Sequence, residues 1–325
     1  MDVRGITAVE GLELGHHTLS ARPTGCTVIL ARAGAVGGVD IRGSAPGTRE
    51  TALLDPVNPL AEVYAVVLSG GSAFGLDVST GVMRYLEERD IGYRIGRGVV
   101  PIVVGAILYD LGLEGTERVR PGPECGYAAA SAASTEAPDE GSVGAGAGAT
   151  VGKFGGTGRP MRGGFGTASV TLESGLTVAA AVAVNAVGDI VDPATGQIVA
   201  GARTEDGRGF ADARQLLRSG RGTEAGAPGM NTTIGVVATN ATLTKAEATK
   251  VAQMAQDGLA RTIYPAHTTR DGDTVFSLAT GAWEGTADVT VIGGLAADVM
   301  SEAILRAVRL AEGLPGIPSV NDLPN

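Results

Sequence analysis

Asn231-Thr232-Thr233 stands between a stretch rich in Gly and Pro, residues 219–230, and the short β-branched run of residues 234–239. The first reads as a linker and the second as a buried strand. A threonine that opens a buried strand behind a linker is well placed to be the nucleophile of a hydrolase that cuts its own chain. Cleavage of the Asn231–Thr232 bond leaves Thr232 with a hydroxyl and a free α-amine on one residue. Such an amine titrates near ~8 in model peptides and can serve as the hydroxyl's own general base. The competing reading of this pattern is an ordinary loop that runs into a strand with a polar first residue.

Asp271-Gly272-Asp273 leads into another apolar run, residues 274–279. In extended backbone, residues i and i+2 face the same side, so these two carboxylates can converge. Like charges that close raise one pKa and favour a shared proton, which suits proton transfer. A solvated Asp-Gly turn is the alternative. Lys153 is a cation isolated in the glycine-rich segment 141–166. This segment is no phosphate loop, because Ala147 stands where a Walker A motif needs Gly and Phe154 where it needs Ser or Thr. Val151 likewise breaks the dinucleotide fingerprint. Glycines that let backbones approach closely and expose amide N–H groups suit an active-site wall or a tight subunit contact.

Other chemistries fit less well. Ser72, in Gly70-Gly71-Ser72-Ala73-Phe74-Gly75, lies close to a Gly-x-Ser-x-Gly elbow, but the last Gly comes one residue late. Its expected role is to cap the helix that follows, with a serine hydrolase using Ser72 as the alternative. The three histidines, His16, His17 and His267, lack metal-ligand spacing, and a Ser-His-Asp enzyme would have to use one of them. No metal or organic cofactor is implied. A net charge of −10 and only 4% aromatic residues argue against nucleic acid as a partner. The apolar stretches 99–108 and 176–184 are too short to span a bilayer, and the first residues lack a secretory pattern. Two cysteines, Cys26 and Cys125, do not make a disulfide framework. The expected compartment is the cytosol.

These residues must be positioned by a mixed α/β chain. Strands are expected at residues 26–31, 63–69, 102–108, 167–172, 176–184, 232–239, 274–279 and 288–292, and helices at 73–89, 245–261 and 295–311. Thr244-Lys245-Ala246-Glu247 has the form of a capping box, with Leu243 placed as its hydrophobic staple. Leu295, Val299, Ala303 and Ala307 form one stripe of the last helix. No domain break shows within the 325 residues, and the tail from Gly313 reads as an extended exit, poorly ordered or docked on a neighbour.

Taken together, Ser69-Gly70-Gly71-Ser72-Ala73-Phe74-Gly75-Leu76, Ile107-Leu108-Tyr109-Asp110, Gly144-Ala145-Gly146 to Gly152-Lys153, Val184-Asn185, Asn231-Thr232-Thr233-Ile234 and Asp271-Gly272-Asp273 resemble the L-aminopeptidase/D-esterase and β-peptidyl aminopeptidase family. Within it they are most similar to the nylon-oligomer (6-aminohexanoate oligomer) hydrolases. The resemblance implies an αββα sandwich like that of N-terminal-nucleophile hydrolases, with different strand connectivity. It implies a single catalytic chain that cuts itself once, here into 1–231 and 232–325, and assembles as a homotetramer.

By the same resemblance Thr232 is the nucleophile and Asn231 carries the carbonyl that is cut. Lys153 and Asn185 polarise the attacked carbonyl or its oxyanion, and Tyr109 lines the pocket. Asp271 and Asp273 orient the hydroxyl and amine of Thr232. The aminopeptidases proper resemble serine enzymes with a Ser-x-Glu pair, whereas this chain has Thr and Asp-x-Asp. The expected activity is hydrolysis of amides or esters of short substrates with a free amino end. The rival from another class is a non-catalytic glycine-rich assembly protein that keeps the fold.

Overall fold

The computed structural model describes residues 4–113, 118–156, 158–221 and 229–323. Its centre is a mixed sheet of nine strands. These are β1 (Glu13–Thr18), β2 (Gly25–Ile41), β3 (Thr48–Arg49), β4 (Glu62–Ser69), β5 (Val103–Ile107), β6 (Gly164–Thr171), β7 (Thr177–Asn185), β8 (Thr232–Thr239) and β9 (Thr274–Ala279). They lie in the order β6-β7-β8-β9-β2-β4-β5-β3, with β1 also paired to β2. Four helices flank them: α1 (Val78–Glu87), α2 (Pro123–Ser131), α3 (Lys245–Thr262) and α4 (Val289–Arg309). Among the described strands of this sheet only β4–β5 and β8–β9 are parallel pairs, and each is joined by a helical crossover, α1 and α3 respectively.

The 17 residues of β2 hold the two halves of the sheet together. Its first part pairs with β1 and β4, its last part with β9, and its register with β4 breaks between Leu30 and Ala35. About this strand the sheet folds over itself, and strand alternation sorts the side chains into layers. Cys26, Val28 and Leu30 pack against Val78, Val82 and Ala129 of α1 and α2. Ile29, Val66 and Leu68 meet Ala181, Ile234, Val236 and Phe276 in a core between the two half-sheets. Val178, Val182 and Val184 face Leu259, Met300 and Ile304 of α3 and α4. Helix, strand, strand, helix is the layering that the family resemblance implied.

Strands β4, β5, β7, β8 and β9 fall where the apolar runs predict them, within a residue or so. Residues 288–292 do not form a strand. Asp288 caps α4 by accepting from Thr290 N–H at 2.8 Å, and burial of Ile292 along the apolar stripe outweighs the β-branched propensity of that first turn. Ser72 does not cap a helix either. It has φ 55°, follows Gly71 at φ 85°, and makes no capping hydrogen bond, whereas a side-chain cap needs extended backbone. A 3-10 turn, Ser72–Asp77, precedes α1 instead.

Cys26 and Cys125 pair as a single disulfide between β2 and α2, with Cα atoms 6.3 Å apart. Their separation of 99 residues gave no sign of it. The tail from Gly313 folds back on its own chain: Arg162 N–H donates to Pro318 O at 2.9 Å, and Leu314 and Ile317 exchange backbone bonds of 2.9 Å each. Among the described residues no helix is long and apolar enough to cross a membrane.

Thr244 and Glu247 form the reciprocal capping box at the start of α3. Thr244→Ala removes it, and denaturant unfolding should show a loss of about 1 kcal/mol. An unchanged midpoint would mean that the cap carries no stability.

Candidate active site

Asn185 ends β7 and Thr232 begins β8, and the two are register partners. On the other side of β8, the pairing of Ile234 with Thr274 sets Asp271-Gly272-Asp273 beside Asn231-Thr232-Thr233. Three strand ends thereby gather Asn185, Asn231, Thr232, Asp271 and Asp273 at one end of the sheet. Asn185, Asn231, Thr232, Asp271 and Asp273 are all buried, Thr232 to 2% exposure.

The hydroxyl of Thr232 donates to the carbonyl oxygen of Asn231, the oxygen of the bond expected to be cut. Gly272 N–H donates to the same oxygen at 2.9 Å. The sequence reading missed that donor, because a backbone amide leaves no mark in side-chain identity. Asn185 Nδ2 donates instead to Tyr109 O at 3.0 Å and Met230 O at 3.4 Å. Asn185 Oδ1 accepts from Lys153 Nζ at 2.9 Å and from Thr150 N–H at 3.0 Å. In the intact chain, then, Lys153 and Asn185 brace each other beside Thr232 and do not contact the Asn231 carbonyl.

Lys153 is set in place by Gly152. That residue has φ +71°, and a Cβ there would lie 2.1 Å from the backbone carbon of Gly201. Burial draws the Lys153 ammonium down to about 7, and the negative charge of Asp271 opposes the fall. Asp271 is pushed up to about 6, first by burial and then by the charge of Asp273.

Each carboxylate also has its own partners. Asp271 Oδ2 accepts from Thr268 N–H at 2.9 Å and Thr268 Oγ1 at 2.6 Å. Asp273 Oδ1 accepts Thr233 N–H at 2.8 Å, while its Oδ2 accepts His267 N–H at 3.0 Å and lies 2.9 Å from His267 Nδ1. Neither carboxylate bonds the Thr232 hydroxyl in the uncut chain. His267 is a second residue that the sequence did not reveal, since only folding brings it against Asp273. Gly43 shapes this loop from the far side: a Cβ on it would lie 2.2 Å from Asp273 N.

Next to Lys153 is a cavity of about 180 Å³ whose walls include Tyr109, Thr150, Met230 and Ile317; Thr232 does not line it. Tyr109 lines this cavity beside Lys153, not a pocket walled by Thr232. Of the linker 219–230, residues 222–228 lie outside the described residues. Ser72 has no histidine partner: His16 bonds Thr27 and Asp139 O, and His267 faces Asp273. Among the described residues no cluster of three or more His, Cys, Asp or Glu side chains stands ready to hold a metal ion.

The model of peptidase family S58 matches residues 4–320. The chain belongs to that family. It is accordingly a hydrolase that acts on amide bonds. It is 45% identical to an uncharacterised aminopeptidase of Mycobacterium leprae (strain TN), over 98% of this chain and 93% of that protein. It is 31% identical to a 6-aminohexanoate-oligomer endohydrolase of Kocuria sp. (strain KY2), over 92% of this chain and 84% of that protein.

Solved structures agree on the fold. A beta-aminopeptidase of Burkholderia sp. superposes with a TM-score of 0.70 at 23% identity, over 96% of this chain and 88% of that one. The L-aminopeptidase D-Ala-esterase/amidase of Ochrobactrum anthropi, described as a variant of the Ntn hydrolase fold, gives 0.69 at 20% identity, over 97% and 89%. The family and the fold that the motifs implied are both borne out.

The chain has three lysines, so carbon NMR of lysine-labelled, uncut protein can follow Lys153 alone. Its titration should centre at about 7. Asp271→Asn removes the charge that holds this value up, so the midpoint should fall further. A midpoint near that of a solvated lysine would contradict the burial assigned to its ammonium.

Proposed function

We propose that this chain is a self-processing amidohydrolase whose nucleophile, Thr232, becomes N-terminal by its own action. The observation that carries this reading is the Thr232 hydroxyl lying against the Asn231 carbonyl, while Gly272 N–H donates to that same oxygen. Attack of Oγ1 on the Asn231 carbonyl carbon puts negative charge on an oxygen that already has an amide donor. Breaking the C–N bond then leaves an ester between Asn231 and Thr232. Water hydrolyses that ester, giving fragments 1–231 and 232–325.

Before cleavage the nitrogen of Thr232 is an amide and cannot accept a proton. A base must come from nearby, and Lys153, half neutral at about pH 7, is the side chain we assign. After cleavage the α-amine of Thr232 takes over as base. Lys153, once protonated, then stands as a cation beside the acyl oxyanion. Turnover follows the same path: Oγ1 attacks an amide or ester, the amine or alcohol leaves, and water releases the acyl group.

Short substrates with a free amino end fit this chemistry: peptides, amino-acid amides or ω-amino acid oligomers. The names of the relatives, aminopeptidase and 6-aminohexanoate-oligomer endohydrolase, support that range. A homotetramer of processed subunits and a cytosolic location complete the proposal, on the family resemblance and on composition.

Denaturing electrophoresis of wild-type protein should show two fragments, the smaller beginning Thr232-Thr233-Ile234 on N-terminal sequencing. Thr232→Ala should stay a single chain; a variant that still splits at this bond would sink the mechanism.

The acidic pair and Lys153 set the pH dependence. Self-cleavage should speed up as pH rises from about 6 to about 7, where Asp271 loses its proton and Lys153 becomes neutral. Asp271→Asn and Asp273→Asn keep the shape but remove charge, and each should slow processing and turnover at least about tenfold. Full rates in the double variant would reduce the motif to a loop.

A further inference from the structure

A second cavity, of about 340 Å³, lies beside the one at Lys153. Gly112, Leu113 and Ile317 belong to the walls of both, so the two spaces adjoin. The first holds Lys153 and Thr150, whereas the second is bounded by Pro23, Leu113, Leu314, Pro315 and Ile317, with glycine backbone between them and, among the described residues, no charged side chain. Most of this wall comes from the C-terminal tail.

That tail is anchored firmly enough to shape a site. Arg162, 1% exposed, donates from Nε to Glu312 O at 2.9 Å and from its backbone to Pro318 O at 2.9 Å, bracketing the turn on both sides. Its other arm reaches Ala147 O at 2.7 Å and Ser142 Oγ at 3.1 Å. Within the bracket, Leu314 and Ile317 close the turn through their paired backbone bonds. Arg203 adds a bond to Gly316 O at 3.2 Å.

The uncut chain shows which half of a substrate these spaces face. Met230 lines the first cavity and lies on the acyl side of the Asn231–Thr232 bond. A substrate that takes the place of the chain's own acyl segment directs its acyl part along the same wall, towards Ile317. We propose that the C-terminal turn 314–317 forms an apolar subsite for the acyl group of the substrate, selecting an uncharged aliphatic chain there. This rests on the self-processing hydrolase reading. A charged chain end of equal length would lose its hydration in the subsite without gaining a partner among the described residues.

The test uses full-length, processed enzyme and the racemic p-nitroanilides of glycine, norleucine and lysine. Wild type should favour norleucyl over lysyl by at least about tenfold in kcat/KM, since even one methylene in an apolar pocket is worth that much. Ile317→Trp fills the subsite and should reduce norleucyl hydrolysis at least tenfold more than glycyl hydrolysis. Leu314→Glu reads the same space independently, should the first variant fail to fold, and should shift the norleucyl-to-lysyl ratio towards lysyl. Processed, active variants with the wild-type ratios would overturn the subsite and leave the hydrolase reading standing. Wild-type protein that neither splits nor hydrolyses any of the three would overturn both.

Discussion

Hydrogen bonds that pair Asn185 with Thr232 across β7 and β8, and Ile234 with Thr274 across β8 and β9, hold three strand ends side by side. Every other feature of the site follows from that register. Side chains alternate along a strand, so a slip of one residue would turn Thr232 to the opposite face and carry the Asp271–Asp273 loop past the bond it flanks. The register is strongly specified because both faces are buried. Ile234 and Val236 point into the core between the half-sheets, while Val237 packs towards α3 and α4.

That double burial also sets the electrostatics. A site between layers excludes water, so each charge in it is held by neighbours and not by solvent. Lys153 loses much of its hold on its proton, and Asp271 keeps its own further up the pH scale than an exposed carboxylate does. Both groups are drawn towards neutral pH, where proton transfer is most useful. Asp273 accepts bonds from Thr233, His267 N–H and the His267 ring, which tie β8 to the loop before β9.

Glycine makes such close approach possible. Gly43 and Gly152 each press backbone against backbone, one behind the acidic pair and the other under Lys153. In the glycine-rich segment 141–166, Gly148, Thr150 and Lys153 line the cavity, in keeping with one of the two roles its composition allowed, an active-site wall or a tight subunit contact.

The sequence by itself determined the family, the candidate reactive residues and most strands of the sheet. Reactive groups are side chains, and side-chain identity and spacing are what a sequence records. The apolar runs that became β4, β8 and β9 were legible because buried strands demand uninterrupted hydrophobic residues. β2 was legible only in its first third, since Gly34, Gly37 and Gly38 broke its pattern while the sheet on either side held it extended. Residues 288–292 read as a strand from local propensity, and became helix because the layer beneath offered α4 more buried surface. Only the tertiary structure decided that Gly272 supplies the amide donor to Asn231, that His267 faces Asp273, that Cys26 meets Cys125 and that the tail walls a cavity. The Gly272, Cys26–Cys125 and tail contacts join parts of the chain far apart in sequence, while His267 and Asp273, six residues apart, meet only through the fold of their own loop.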